Sequence, residues 1–200
     1  MGGAFWKSLL FGAVLAGSIG PIALLIFGTA ARRGFAAGGF AAAGAALADL
    51  VYALAAFSVG ALVLPLLAAH QTGVRIAAAS MLVALGLVML LRRPAEAAAA
   101  PAQPVARMLL PVFLLTLVNP MTIVVFAGFV PQLPLAGSLS VAATLAFALG
   151  VGSFAVALAV AAAGAVIGAA LPGPGWRRAI NAVSGAGILA FGIVGLVTAA

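Results

Sequence analysis

An acid inside a long apolar run is among the costliest side chains that a membrane segment can carry. Asp49 stands in such a run, from about Gly38 to Leu67, while the other acid of the chain, Glu96, falls in a central loop. Intramembrane carboxyls mark ion or substrate paths by default. A carboxyl can exchange a proton or hold an ammonium group, which makes Asp49 the candidate coupling residue. The competing reading is a structural acid, kept neutral or paired with an arginine at the membrane interface. Tyr52, the only tyrosine, follows three residues later and shares the Asp49 face of a helix. Its hydroxyl is a candidate substrate ligand; the plainer alternative is an ordinary packing aromatic.

Two backbone breaks accompany the acid. Ser18-Ile19-Gly20-Pro21 interrupts the first apolar segment and Asn119-Pro120 interrupts the fourth. Proline lacks the N–H that bonds four residues back, and its ring clashes with that carbonyl. In hydrocarbon the freed groups are costly unless protein or trapped water satisfies them. Half-helix N–H groups at Gly20-Pro21 can meet an anionic group such as a carboxylate, with the Ser18 hydroxyl beside them. Asn119 offers an uncharged donor and acceptor suited to an amide or carboxylate, and Thr116 and Thr122 flank it. Against this stand two plainer readings: a simple packing kink at Pro21, and a half-helix cap at Asn119. The candidate substrate-binding set is therefore Ser18, Gly20, Pro21, Tyr52, Asn119 and Pro120.

Other chemistry is poorly supplied. The chain has no cysteine and one histidine, His70, in a loop, so disulfides, thiol chemistry and Cys/His metal sites are excluded or nearly so. No metal or other cofactor is expected. Gly150-Val151-Gly152-Ser153 resembles a serine-nucleophile motif, but no span contains a histidine to act as base. There is no phosphate-binding P-loop, so the chain is not itself an ATPase.

The elements that must position these residues are apolar helices. Of 200 residues, 66% are hydrophobic and 6% charged, far from the quarter charged of a soluble domain. The net charge of +7 is spread as pairs at segment ends, Arg32-Arg33, Arg92-Arg93 and Arg177-Arg178, rather than as a stripe for nucleic acid. The expected fold is all-α, with six transmembrane segments. The first three are about 9–31, 38–67 and 74–91, and the last three about 108–130, 140–171 and 180–199. Residues 1–91 and 108–200 form two three-helix halves, joined by a proline- and alanine-rich linker at 92–107. The second segment, about 45 Å long, exceeds the ~30 Å hydrocarbon core and must tilt or project. Gly34, Gly38 and Ala42 follow small-xxx-small spacing. In a chain this rich in alanine that spacing identifies no dimer face, and self-association stays open.

Seven of the nine Lys and Arg residues fall on the side of the loops after segments one, three and five; Lys7 and Arg75 fall on the other. The positive-inside rule then sets both termini outside the cytoplasm. Each half reads as a proline-broken span, a long small-residue span and a shorter span, with Pro21 and Pro120 99 positions apart. Three spans per half invert the second relative to the first. The binding site of such inverted repeats lies near the midplane, between discontinuous helices. These features imply a secondary transporter of a small solute. Alternatives are a transporter of another solute class or an ion, a non-transporting assembly protein and, last, a membrane enzyme without acid–base partners.

The Gly20-Pro21 break, Arg32-Arg33-Gly34-Phe35 and Asp49-Leu50-Val51-Tyr52, together with Leu117-Val118-Asn119-Pro120, resemble the motifs of the lysine exporter (LysE/RhtB) family. Many members carry a proline at the position of Ile19, giving Pro-Gly-Pro where this chain keeps Gly-Pro. The resemblance spans about residues 9–199. It implies a multi-pass protein of the bacterial inner membrane that exports amino acids or similar zwitterions, generally in exchange for protons or other ions. The partners it implies are a small-molecule substrate and the lipid bilayer.

Overall fold

The computed structural model describes residues 2–17, 20–69, 71–91, 104–119, 122, 125, 126, 138–171 and 174–198. Every regular element among them is helical. In chain order these are α1 (Gly2–Gly17), α2 (Pro21–Arg33), α3 (Phe35–Ala69), α4 (Gln71–Leu91), a short 3-10 turn (Val105–Met108), α5 (Leu109–Leu117), α6 (Leu139–Ala170) and α7 (Pro174–Val197). Ser18, Ile19, Pro120, most of the 92–107 linker and most of the expected fourth span beyond Asn119 lie outside the described residues.

Three helical stretches, Phe35–Ser58, Leu139–Ala170 and Arg178–Val197, are long and apolar enough to cross a membrane; α1 and α2, bent by 71°, make a fourth if taken as one broken span. Many large apolar side chains face outward, among them Trp6, Leu10 and Val14 on α1, Phe147 and Val166 on α6, and Val183 and Val197 on α7. A water-soluble monomer rarely exposes that much contiguous apolar surface, whereas a bilayer requires it. With α3 apolar on all sides, its buried face cannot be identified from hydrophobic periodicity; the small residues decide it.

The core is rich in alanine and glycine, with larger side chains such as Phe57, Leu149 and Ile188 buried among them. The longest helices, α3 with 35 residues and α6 with 32, run antiparallel. Ala41, Ala42 and Ala45 meet Ala157 and Ala161 toward one end, while Ala53 and Phe57 meet Ala142 and Leu145 toward the other. Glycine lets α6 lie directly on backbone. A Cβ at Gly152 would overlap the Leu9 carbonyl of α1, and one at Gly164 or Gly168 would overlap the Phe27 or Ala31 carbonyl of α2. On the other side of α3, Gly44 faces the Leu109 carbonyl of α5 in the same way. The antiparallel pair α4 and α7 closes at Gly86 against the backbone of Leu189 and at Gly192 against that of Val83. The Asn181 side-chain amide donates to the Met89 carbonyl across that pair. Lipid tails are as apolar as leucine, so close van der Waals approach is what holds such helices together.

Candidate functional site

The break at Gly20-Pro21 separates two helices. Gly20 is extended, at φ −129° and ψ −179°, and Pro21 occupies the first turn of α2, where a missing N–H costs nothing and the fixed φ suits a helix start. The Gly20 carbonyl accepts the first intrahelical bond, from the Leu24 amide at 3.1 Å. The amides of Ile22 and Ala23, in the first turn, have no carbonyl within the helix to bond. Gly20, at the N-cap, has no side chain with which to cap this end.

The second break has the opposite polarity. Helix α5 ends at Leu117; the Val118 amide donates to the Leu114 carbonyl and the Asn119 amide to the Thr116 carbonyl. An α conformation is disfavoured immediately before proline, and Asn119 precedes Pro120, so the helix cannot run through. A helix end of this kind presents carbonyls and partial negative charge.

Between the two breaks lies a cavity of about 90 Å³, whose wall includes Gly20, Pro21, Asp49, Asn119, Thr122 and Ser153. That is room for a few water molecules, or for a compact solute replacing them. Of the eight buried polar or charged residues among those described, Asp49, Thr116, Asn119, Thr122 and Ser153 belong to this wall. Polar burial among the described residues is thus concentrated in one place. Ile22 and Ala23 also line it, so the amide end of α2 borders the same space as the carboxyl of Asp49.

Asp49 is 5% exposed and accepts a 2.5 Å hydrogen bond at Oδ2 from the Ser153 hydroxyl of α6. Asn119 donates from Nδ2 to Thr122 Oγ1 at 3.2 Å, and the Thr116 hydroxyl turns back on its own helix, to the Val112 carbonyl at 2.8 Å. Tyr52 stands apart from this group. It shares the Asp49 face, but its hydroxyl donates to the Leu117 carbonyl at the end of α5. Its ring stacks on Phe126 with centroids 5.2 Å apart, and Phe126 in turn meets Phe11 edge to face. Tyr52 therefore braces the broken end of α5 beside the cavity rather than contributing to its wall.

Four of the expected site residues, Gly20, Pro21, Asp49 and Asn119, are thus brought together; Ser18 and Pro120 fall outside the described residues. Ser153 was not expected as a site residue. It stands in the glycine-rich stretch whose serine invites a hydrolase reading, yet its partner is an acid rather than a base. No signal in the sequence singles it out; the helix bounds relate it to Asp49. Asp49 is fourteen positions beyond the first residue of α3, Phe35, and Ser153 fourteen beyond the first residue of α6, Leu139. Among the described residues no group of three or more metal-ligating side chains converges.

A bundle of apolar helices around a buried polar cavity, bordered by two broken helix ends, is the architecture of a membrane carrier. Comparison with known families agrees. The model of the LysE type translocator family matches residues 13–198, and the chain belongs to that family. It is accordingly a membrane translocator of small solutes, in a family of transporters rather than enzymes. No curated protein and no solved structure matches it.

Proposed function

We propose that the protein exports amino acids or similar small zwitterions across the cytoplasmic membrane, in exchange for protons or another ion. The observation that carries this is the polarity of the cavity. One border is the amide end of α2, which favours a carboxylate. Another is the Asp49 carboxyl, which suits an ammonium group or a proton. A zwitterion presents both charges at short separation, and the cavity offers complementary groups for each without a basic side chain among the described residues of its wall. An inorganic anion would meet the Asp49 charge. A divalent cation would find one carboxylate, fewer charged oxygens than such ions generally take.

Asp49 then serves as the coupling residue: it holds the substrate ammonium in one part of the cycle and the counter-ion in the other. Gly20, Pro21 and Asn119 border the substrate, with the extended backbone at Gly20 letting it approach the α2 amides. The two three-helix halves act as inverted repeats that rock about the cavity, with the arginine-rich ends in the cytoplasm and both termini outside. Two features support the inverted arrangement. Helices α3 and α6 are antiparallel and touch at equivalent positions, Asp49 and Ser153. Helices α4 and α7 are also antiparallel and touch at Gly86 and Leu189, each fifteen positions beyond the first residue of its helix.

Proteoliposomes loaded with labelled amino acids test the proposal. Efflux should accelerate when an inward proton gradient is imposed. Absence of gradient-dependent efflux for every amino acid tried, or equal stimulation by empty vesicles, would overturn it.

A further inference from the structure

Ser153 has no assigned role in transport, yet it is the side-chain partner of the one acid in the cavity. We propose that Ser153 is the positioning residue of the Asp49 carboxyl: its hydroxyl engages Oδ2 and thereby orients the carboxyl for whatever cation, proton or ammonium, occupies the cavity. This rests on the transport reading for its consequence, but not for its geometry.

Three observations carry it. Ser153 is 1% exposed and Asp49 5%, so their 2.5 Å bond forms away from bulk solvent. A serine in an apolar helix more often returns its hydroxyl to a carbonyl of its own helix, as Thr144 and Thr198 do here. Ser153 instead reaches across to α3. The local sequence also serves that reach. Gly152 lets α6 lie on the Leu9 carbonyl of α1, and Gly150 meets the Leu50 side chain of α3 with little room to spare, a Cβ there falling 3.2 Å from Leu50 Cδ1. The two glycines bracketing Val151 thus set the helix distances that bring the Ser153 hydroxyl to Asp49.

The test needs a readout independent of transport. The chain has only two acidic side chains, Asp49 and Glu96, which makes carboxyl infrared spectroscopy tractable. In acid-induced difference spectra of the full chain in lipid vesicles, the C=O stretching band abolished by Asp49→Asn belongs to Asp49. In Ser153→Ala that band is expected to move to higher frequency, because the carbonyl loses a donor; in Ser153→Thr, which keeps a hydroxyl, it should stay near its original place. An Asp49 band unmoved by Ser153→Ala would overturn the proposal, whatever the protein transports. In the transport assay, Ser153→Ala should raise the KM for substrate by about tenfold or more, the scale of one lost hydrogen bond to a charged group, with kcat changing less, and Ser153→Thr should restore most of it. An equal loss in KM and kcat, without rescue by threonine, would mark a merely structural serine. A wild-type protein that moves no amino acid would remove the transport reading and leave the infrared result to stand by itself.

Discussion

Replacing Asp49 with asparagine keeps the size of the side chain and one oxygen for the Ser153 hydroxyl, but removes the titratable group. The structure sets the magnitude. Asp49 is the one titratable side chain among the described residues of the cavity wall, so exchange of one proton per cycle is expected. A pH difference of one unit is worth about 1.4 kcal/mol. For one proton exchanged against one neutral zwitterion, that supports a substrate ratio of about tenfold at steady state. With the membrane potential clamped at zero by potassium and valinomycin, the logarithm of the substrate ratio should rise with imposed pH difference at a slope near one. In Asp49→Asn the slope should fall to zero, while exchange of labelled for unlabelled substrate across the same vesicles continues at a reduced rate. A wild-type slope near two would require a second proton-carrying group besides Asp49 and would refute the one-carboxyl account. An unchanged slope in Asp49→Asn would refute the assignment of Asp49 as the coupling residue.

Other consequences follow from the same contacts. Gly152→Ala forces a Cβ onto the Leu9 carbonyl, a backbone clash that should cost about 1–3 kcal/mol; its melting temperature in detergent should fall, while Gly73→Ala, with open space around it, should match wild type. Tyr52→Phe keeps the stack on Phe126 but loses the bond to the Leu117 carbonyl. A loss near 1 kcal/mol is expected, seen as a modest fall in transport rate with little change in KM. Pro21→Ala restores a backbone N–H and allows the chain to continue as helix through the break. Substrate affinity, measured by isothermal titration or by KM, should weaken by about tenfold if the α2 amide end recognises a carboxylate at the upper range of helix-terminus interactions.

The sequence was most informative where a residue breaks a rule of its surroundings. A Gly-Pro within a helix, an asparagine before proline and an acid in hydrocarbon each carry a cost visible from one chain position, and those residues converge. Membership of the LysE type translocator family was legible from the same motifs, as was the all-helical class. What remained illegible depends on partners distant in the chain. Ser153 is unremarkable in an apolar helix; its meaning comes from a residue 104 positions away. Tyr52 shares the face of Asp49 as its spacing requires, but the end of α5, 65 positions on, captures its hydroxyl. The face that α3 buries was hidden for a different reason. When every side of a helix is apolar, hydropathy carries no phase, and only the backbone contacts made at glycine reveal which side turns inward.

The alanine and glycine core affects how fast the molecule can work. Where Ala41, Ala42 and Ala45 meet Ala157 and Ala161, the side chains have no rotamers to freeze or exchange, so α3 can shift against α6 there without stepwise repacking, whereas Phe57, packed with Leu145 and Leu149 toward the other end, must repack. Resistance to such movement then comes from that Phe57 cluster and from a few directional polar contacts: Ser153 on Asp49, Tyr52 on the end of α5, and Asn181 on α4. Substitutions that strengthen or weaken these contacts are therefore expected to act as adjustments of the carrier's speed.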